Sequence, residues 1–388
     1  MKTYYKCRDG EQIKYVDVCS LYPWVNKYGK YPVGHPEVIV GSEKCSKLNL
    51  RETDGLIKCR ILPPQQLIHP VLPVKLNDKL MFVLCYTCGK VGAKECSHSD
   101  EERTINGTWV IDEVVKALEK GYKILDIQEI WKYKVTQYNP ETKEGGLFNG
   151  YINQYVREYL EKEGVTLNPE KVSVNPGLRQ LGKAVITSFW GKLCQRENQG
   201  KTTIVNKPEV LFSMLSNPAT DVNSILPVNN TDCVQAAYTT AQARLKLYSY
   251  LEKVGDNAIY TDTDSVIYLS KAGQEEDIPL GNFLGEMTDE LEGYGEGSYI
   301  DEFVSGGPKN YAYKVYSPKT GEYFITCKVK GLSLNYNASQ NINFETIKSM
   351  ALTEEPEPVP IIYKQIRRTG EHKVMTTQQT KLYKAAFN

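Results

Sequence analysis

The sequence predicts an α+β fold, because strand patterns and helix patterns occupy separate stretches of the chain. The alternating run at Ile13–Val18 and the apolar runs Ala258–Tyr260 and Val266–Tyr268 read as strands, whereas the stretches after Asn175 and Asp232 repeat apolar residues at helical spacing. The chain has 388 residues and is 41% hydrophobic, enough for a large buried core of two or three subdomains.

The first strand lies in Ile13-Lys-Tyr-Val-Asp-Val-Cys-Ser-Leu-Tyr-Pro23, where the alternation runs into Asp17 and stops at Ser20 to Pro23. Asp17 is therefore expected at a strand end. There it supplies one arm of a metal site or, on the alternative reading, caps the turn before Pro23. Tyr22 has a plain reading as a half-buried core residue.

The next portion ends at Pro63-Pro64, and residues 61–138 read as an insertion. Within it, Cys85-Tyr-Thr-Cys88 is followed after seven residues by Cys96-Ser-His98. Zn²⁺ takes four tetrahedral sulfur and nitrogen ligands, and a short CxxC with a nearby CxH closes such a knuckle. The alternative is a loop of reduced, unliganded thiols. A helix from about Ile111, closed by Gly121, and a strand from Tyr122 to Tyr133 complete the insertion.

Phe148 to Glu163 carries aromatic and aliphatic residues at helical spacing, and the loop from Gly164 to Val174 turns the chain back. Asn175 as N-cap and Pro176 at the first helical position start the next helix. Arg179, Lys183 and Thr187 recur every four residues and form one polar stripe, with Leu181, Val185 and Phe189 away from it. Such a stripe neutralises phosphate oxygens and suits a triphosphate; a cationic helix face also reads as solvated surface.

Asp232 can cap a helix in which Val234, Ala237, Ala241, Leu245 and Tyr248 share a face, ending near Gly255. The hairpin follows. Tyr260-Thr-Asp-Thr-Asp-Ser265 sets Asp262 and Asp264 two residues apart at its tip, where carboxylates repel unless a cation neutralises them. A hard divalent ion such as Mg²⁺ takes oxygen ligands, often one or two carboxylates plus substrate phosphates. With Asp17 beside the hairpin, two ions roughly 3.5–4 Å apart would clamp the attacking and leaving oxygens of a phosphoryl transfer. Read alone, the hexapeptide is also compatible with an acidic, solvated turn.

In this order, the Ser20-Leu-Tyr-Pro23 run, the lysine helix ending in Phe189-Trp-Gly191 and the YxDTDS hairpin resemble motifs A, B and C of family B DNA polymerases. Ser188-Phe-Trp-Gly-Lys192, Ala243-Arg-Leu-Lys-Leu-Tyr248 and Gly307-Pro-Lys-Asn-Tyr-Ala-Tyr313 make the chain similar to the protein-primed branch, as in Polinton or Maverick-type transposons and related viruses. The resemblance covers nearly the whole chain. It implies a right-hand polymerase with an inserted zinc-knuckle-like segment: palm 1–60 and 201–304, insertion 61–138, fingers 139–200 and thumb 305–388.

Carried over by position, Asp17 and Asp264 would ligate two Mg²⁺ ions with the Val18 carbonyl, and Asp262 would support them. Ser20 and Leu21 would offer backbone N–H groups to phosphate, and Tyr22 would exclude a ribose 2′-OH. Lys183 would bind the incoming triphosphate, assisted by Arg179, with Arg157 a third cation. Lys309 and Tyr311 match a K-x-Y element that steadies the primer end. The implied partners are a DNA primer-template, deoxynucleoside triphosphates and a terminal protein primer; the implied reaction is template-directed DNA synthesis. Similar transposon polymerases carry a Cys/His cluster before the Gly107-Thr-Trp-Val110 run.

Three departures weaken the likeness. Thr187 stands where motif B carries Asn, losing an amide's paired donor and acceptor at a cost of about 0.5–1.5 kcal/mol. The path from motif B to motif C is short, since Asp232-Cys-Val-Gln runs straight into Ala236-Ala-Tyr-Thr-Thr240. With Asp17 so near Met1, the expectation is a chain without the editing exonuclease and hence without proofreading, or a fragment of a longer product or a degraded transposon copy. These keep open a catalytically silent nucleic-acid-binding fragment of a transposon or viral polymerase, and a zinc-stabilised structural or interaction module.

The net charge is zero, from 47 acidic and 47 basic side chains, so any nucleic-acid surface must be locally arranged. Lys201, Lys207, Lys309, Lys314, Lys328, Lys330, Arg367 and Arg368 are candidates, with a solvated face the default for each. Ten cysteines, no signal peptide and no apolar run near ~18 residues point to reduced thiols, nucleus or cytoplasm and no membrane anchor. The sequons at Asn106, Asn229 and Asn337 then read as chance matches. Glu354-Glu-Pro-Glu-Pro-Val-Pro360 reads as a stiff, extended linker.

Overall fold

Two compact units make up the chain, each assembled from separated segments: 1–21, 63–105 and 244–388 in one, 22–62 and 106–243 in the other. The computed structural model describes residues 3–93, 95–133, 138–139, 144–145, 233–271, 278–332, 334–353, 356–369 and 372–384, with isolated helical positions between Gly177 and Gly191. The elements of the amino-terminal part are β1 (Tyr4–Lys6), β2 (Glu11–Val18), α1 (Leu21–Tyr28), β3 (Glu37–Val40), α2 (Ser42–Cys45), β4 (Asp54–Leu62), β5 (Pro73–Leu76) and β6 (Lys79–Phe82). There follow α3 (Tyr86–Val91), α4 (Asp100–Arg103), β7 (Ile105–Val110), α5 (Ile111–Glu119), β8 (Lys123–Tyr133), and the short β9 (Tyr138–Asn139) and β10 (Glu144–Gly145). Beyond them lie α6 (Cys233–Val254), β11 (Ala258–Asp262), β12 (Ser265–Lys271), β13 (Met287–Asp289), β14 (Tyr299–Ser305), β15 (Tyr311–Ser317), β16 (Glu322–Lys328), α7 (Tyr336–Asn341), α8 (Phe344–Leu352), β17 (Val359–Arg368) and β18 (Val374–Tyr383).

The first unit is built on an antiparallel sheet in the order β11-β12-β2-β14-β15-β16, with β1 added to β14 and β13 to β2. Strands set alternate side chains on opposite faces, so Ile13 and Tyr15 of β2 share a face with Asp17. On that face Ile13, Tyr15, Ile259, Tyr260, Ile267, Phe303, Tyr311, Tyr313 and Val315 form a buried, largely aromatic core. Val304 and Ala312 belong to a second core with Phe344 and Ile347 of α8, Ile361 of β17 and Tyr383 of β18. A polar cluster is also buried there: Glu302 accepts from Tyr4 Oη at 2.6 Å and pairs with Lys314 and Lys348.

The second unit holds a four-stranded sheet in the order β3-β8-β4-β7. α5 and β8 lie where the sequence places them, and Gly121 after α5 takes the left-handed φ of 88° that lets the chain turn out of the helix. In the same unit Lys30 sits between Asp54 and Asp112, and its N–H donates to Gln242 Oε1 at 2.8 Å.

Two expectations change. The buried side of α6 is set by Ala236, Tyr238, Thr239, Ala241, Ala243, Tyr248 and Tyr250, so of the expected face only Ala241 and Tyr248 are buried. Thr239 can be buried because its hydroxyl donates to Gln235 O at 2.9 Å and lies 2.9 Å from Tyr31 Oη. Val359 and Pro360 pair with Tyr383 and Leu382 in the β17–β18 ribbon instead of continuing a linker. The helix expected at Phe148 to Glu163 and its return loop lie outside the described residues. No helix among the described residues is long and apolar enough to cross a membrane.

Candidate active site

The tip of the β11–β12 hairpin is a two-residue connection, because Asp262 pairs with Ser265 across Thr263 and Asp264. Thr263 adopts φ 58°, the left-handed region that short hairpin turns require but that a β-branched residue rarely enters. On the other side of β12, Ser265 pairs with Asp17, and Asp17 pairs in turn with Thr288 of β13. Asp262, Ser265, Asp17 and Thr288 thus form one row across four strands. One backbone and one side-chain hydrogen bond lock the row: Val18 N–H donates to Asp264 O at 2.8 Å, and Thr288 Oγ1 donates to Asp17 O at 3.2 Å.

Asp17 and Asp264 come together at this edge, because Asp17 pairs with Ser265, the next residue after Asp264, and the Val18 N–H donates to the Asp264 carbonyl. Burial pushes the Asp264 carboxyl above its ordinary range, and the charge of Asp262 adds to the rise; Lys309 opposes it. A pair held this way is short of positive charge. Its oxygen donors suit a hard divalent cation, so the residues present fit Mg²⁺.

Asp262 is drawn elsewhere. Lys309 Nζ lies 2.7 Å from its Oδ1 and 3.3 Å from Thr263 Oγ1. Lys309 itself has φ 57°, and its N–H donates to Tyr260 Oη at 2.8 Å, so the turn between β14 and β15 is stitched to the hairpin. Tyr311 is 3% exposed, with its ring 4.9 Å from that of Tyr260 and its hydroxyl 3.1 Å from Tyr15 Oη. It stands beneath the hairpin as part of the aromatic core.

Ser20 takes φ 51° in the turn between β2 and α1, Leu21 is 1% exposed, and Tyr22 is half-buried in α1. Tyr22 opens the second unit, whereas Asp17, Val18, Ser20 and Leu21 belong to the first. Arg179, Lys183 and Thr187, like Arg157, lie outside the described residues. Sequence reasoning missed β13, whose Thr288 flanks Asp17 from the side away from the hairpin. Three residues carry too little periodicity to declare a strand, and only the register reveals it.

Cys85, Cys88, Cys96 and His98 place one ligand atom each within 4.8 Å of one another, and no other such cluster occurs among the described residues. His98 Nδ1 lies 3.5 Å from Cys85 Sγ, 3.2 Å from Cys88 Sγ and 3.8 Å from Cys96 Sγ. The Cys88 N–H donates to Cys85 Sγ at 3.3 Å. The β5–β6 hairpin leads into this cluster through the two left-handed residues Asn77 and Asp78.

The family model for DNA polymerase type B, organellar and viral, matches residues 1–269. A probable DNA polymerase of Neurospora intermedia is 25% identical over 351 residues, covering 84% of this chain and 32% of that protein. Among solved structures, the orthorhombic crystal form of Phi29 DNA polymerase superposes with a TM-score of 0.62 at 16% identity, over 96% of this chain and 58% of that one. The same polymerase in complex with primer-template DNA and incoming nucleotide gives 0.58 at 16% identity, over 98% and 60%. The α+β fold is shared with these polymerases, and the chain spans about a third of its curated relative and three-fifths of the structural ones.

Proposed function

The chain belongs to the type B DNA polymerases, organellar and viral, and from that membership we propose that it carries the nucleotidyl-transfer site of a template-directed DNA polymerase. In this reaction the primer 3′-hydroxyl attacks the α-phosphorus of a deoxynucleoside triphosphate and pyrophosphate leaves. The observation that carries the reading is the meeting of Asp17 and Asp264 at adjacent strand ends, within the matched residues.

Asp17, Asp264 and the Val18 carbonyl would hold two Mg²⁺ ions, which supply charge stabilisation at the attacking and leaving oxygens. Asp262, held by Lys309, keeps the hairpin tip in register. Ser20 and Leu21 offer backbone N–H groups to the triphosphate; Lys183 and Arg179 would neutralise it, with Thr187 assigned to the same nucleotide pocket; and Tyr22 blocks a ribose 2′-hydroxyl. Lys309 and Tyr311 support the primer end, Tyr311 by holding the aromatic floor under Tyr260. The palm, fingers and thumb follow the segments given above. Cys85, Cys88, Cys96 and His98 would hold zinc, the ion their thiolate and imidazole donors favour over Mg²⁺. Priming by a terminal protein, origin in a transposon or related virus, and action in nucleus or cytoplasm belong to the same proposal.

Primer extension by the purified chain with Mg²⁺, a primer-template and deoxynucleotides tests it. Templated extension is expected. Salt-dependent DNA binding without extension would favour a silent nucleic-acid-binding fragment instead.

A further inference from the structure

Residues 63–71 run between the Cys/His cluster and the base of the catalytic hairpin, and side chains hold them at both ends. At the start, Arg103 Nη2 donates to the carbonyls of Pro63 at 2.9 Å, Pro64 at 2.7 Å and Leu84 at 3.4 Å. Its Nη1 reaches Asp100 Oδ1 at 3.0 Å. Arg103 is 2% exposed and cannot shed its charge, so its place depends on those oxygens staying where they are. Leu84 immediately precedes Cys85, and α4 begins just after His98. Thr87 Oγ1 donates to Glu102 O at 2.8 Å, tying α3 to α4. A metal bound by the four ligands would fix the two helices around the guanidinium.

At the far end, His69 Nε2 lies 2.9 Å from Gly255 O, and because a carbonyl only accepts, Nε2 is the donor. Gly255 O also accepts from the N–H of Ala258, the first residue of β11. Gly255 has φ 50°, so the chain leaves α6 through a left-handed residue whose carbonyl the helix cannot satisfy. The His69 carbonyl in turn accepts from Tyr248 Oη at 2.9 Å, and Tyr248 is buried on α6. One histidine therefore joins α6, the turn and the strand that ends at Asp262.

We propose that His69 is a positioning residue for nucleotide insertion and that residues 63–71 are a strap through which a metal at the Cys/His cluster fixes the base of the catalytic hairpin. This rests on the polymerase and metal readings above. Carboxylates displaced by a fraction of an ångström still allow substrate to bind but lose the alignment that the transition state demands, so the effect falls on kcat and not on KM.

Hydrogen exchange on the full chain, purified with zinc and again after its removal by a chelator, tests the strap independently of activity. His69→Ala should speed exchange at residues 255–262 by at least about fivefold while residues 85–103 keep their protection. Zinc removal, or Cys88→Ser, should speed exchange at 63–71 and 255–262 as well as at 85–103. His69→Gln, whose amide can still donate, should restore protection. In primer extension, His69→Ala should lower kcat about fivefold or more at a nearly unchanged nucleotide KM, with His69→Gln recovering it. Unchanged exchange at 255–262 in His69→Ala overturns the proposal, and failure of the wild-type chain to take up zinc overturns its metal half. A wild-type chain that extends no primer defeats the polymerase reading alone, and the exchange data still decide the strap.

Discussion

Lys309 pairs with Asp262, its Nζ 2.7 Å from Oδ1, and so the cation of the β14–β15 turn engages a carboxylate at the tip of the hairpin. The Lys309 side chain is 59% exposed, and an exposed pair is worth about 0–1 kcal/mol. Its value is positional. Lys309→Ala should leave the melting temperature nearly unchanged while reducing primer extension. If Lys309 also meets a primer phosphate, the slope of log affinity against log salt should fall by about one unit. Full extension with an unaltered salt slope would remove Lys309 from the site.

Glu302 is buried at 4% exposure among Tyr4, Lys314 and Lys348. Burial alone would raise its carboxyl, but the bonds from Lys348, Tyr4 and Lys314 outweigh that and bring it down to about 2. A depressed carboxylate contributes stability that is complete above its unfolded value and is lost as pH falls toward the folded one, here from about 4.5 to about 2. Glu302→Gln should cost about 2–4 kcal/mol in denaturant unfolding at neutral pH, because it leaves two lysines without their shared counter-charge. Glu345→Gln, whose side chain is 70% exposed, should cost less than about 1 kcal/mol. Equal costs would deny the buried cluster its role.

Asp264 has the opposite sign. Its folded-state carboxyl is raised, so its ionised form opposes folding: the cost is absent below the ordinary carboxylate range, grows as pH rises through it, and is complete above the raised value. Mg²⁺ should therefore raise the melting temperature near neutral pH, by about 1–3 °C, and do less at about pH 5. Asp264→Asn should melt higher than wild type without metal and lose the Mg²⁺ increment. A variant that still gains stability from Mg²⁺ would place the ion elsewhere.

Zinc should be stoichiometric in protein purified without added metal. Structural zinc contributes on the order of 10 kcal/mol to local folding, so Cys88→Ser should expose residues 80–110 to proteolysis. Zinc below about a tenth of an equivalent, with that loop still protected, would leave ordinary thiols as the better account.

The carboxylates were legible in the sequence because each is announced locally. Asp17 closes an alternating run, and Asp262 and Asp264 sit between two apolar strands, so neighbours alone reveal the turn. The Cys/His spacing was legible for the same reason. What could not be read was register and distance. Thr288 reaches Asp17 through a three-residue strand, and Glu302 finds Tyr4 and Lys348 only once β1, β14 and α8 pack. The side of α6 that is buried depends on partners such as Tyr31, which no helical period encodes.

The most direct test of the account replaces Asp17 or Asp264 by Asn and measures primer extension beside primer-template affinity. On the proposed reading these carboxylates serve charge developing in the transition state, so extension should fall by at least about a thousandfold while DNA affinity stays within about twofold. Extension retained in either variant would contradict the assignment of the reaction to this hairpin and strand.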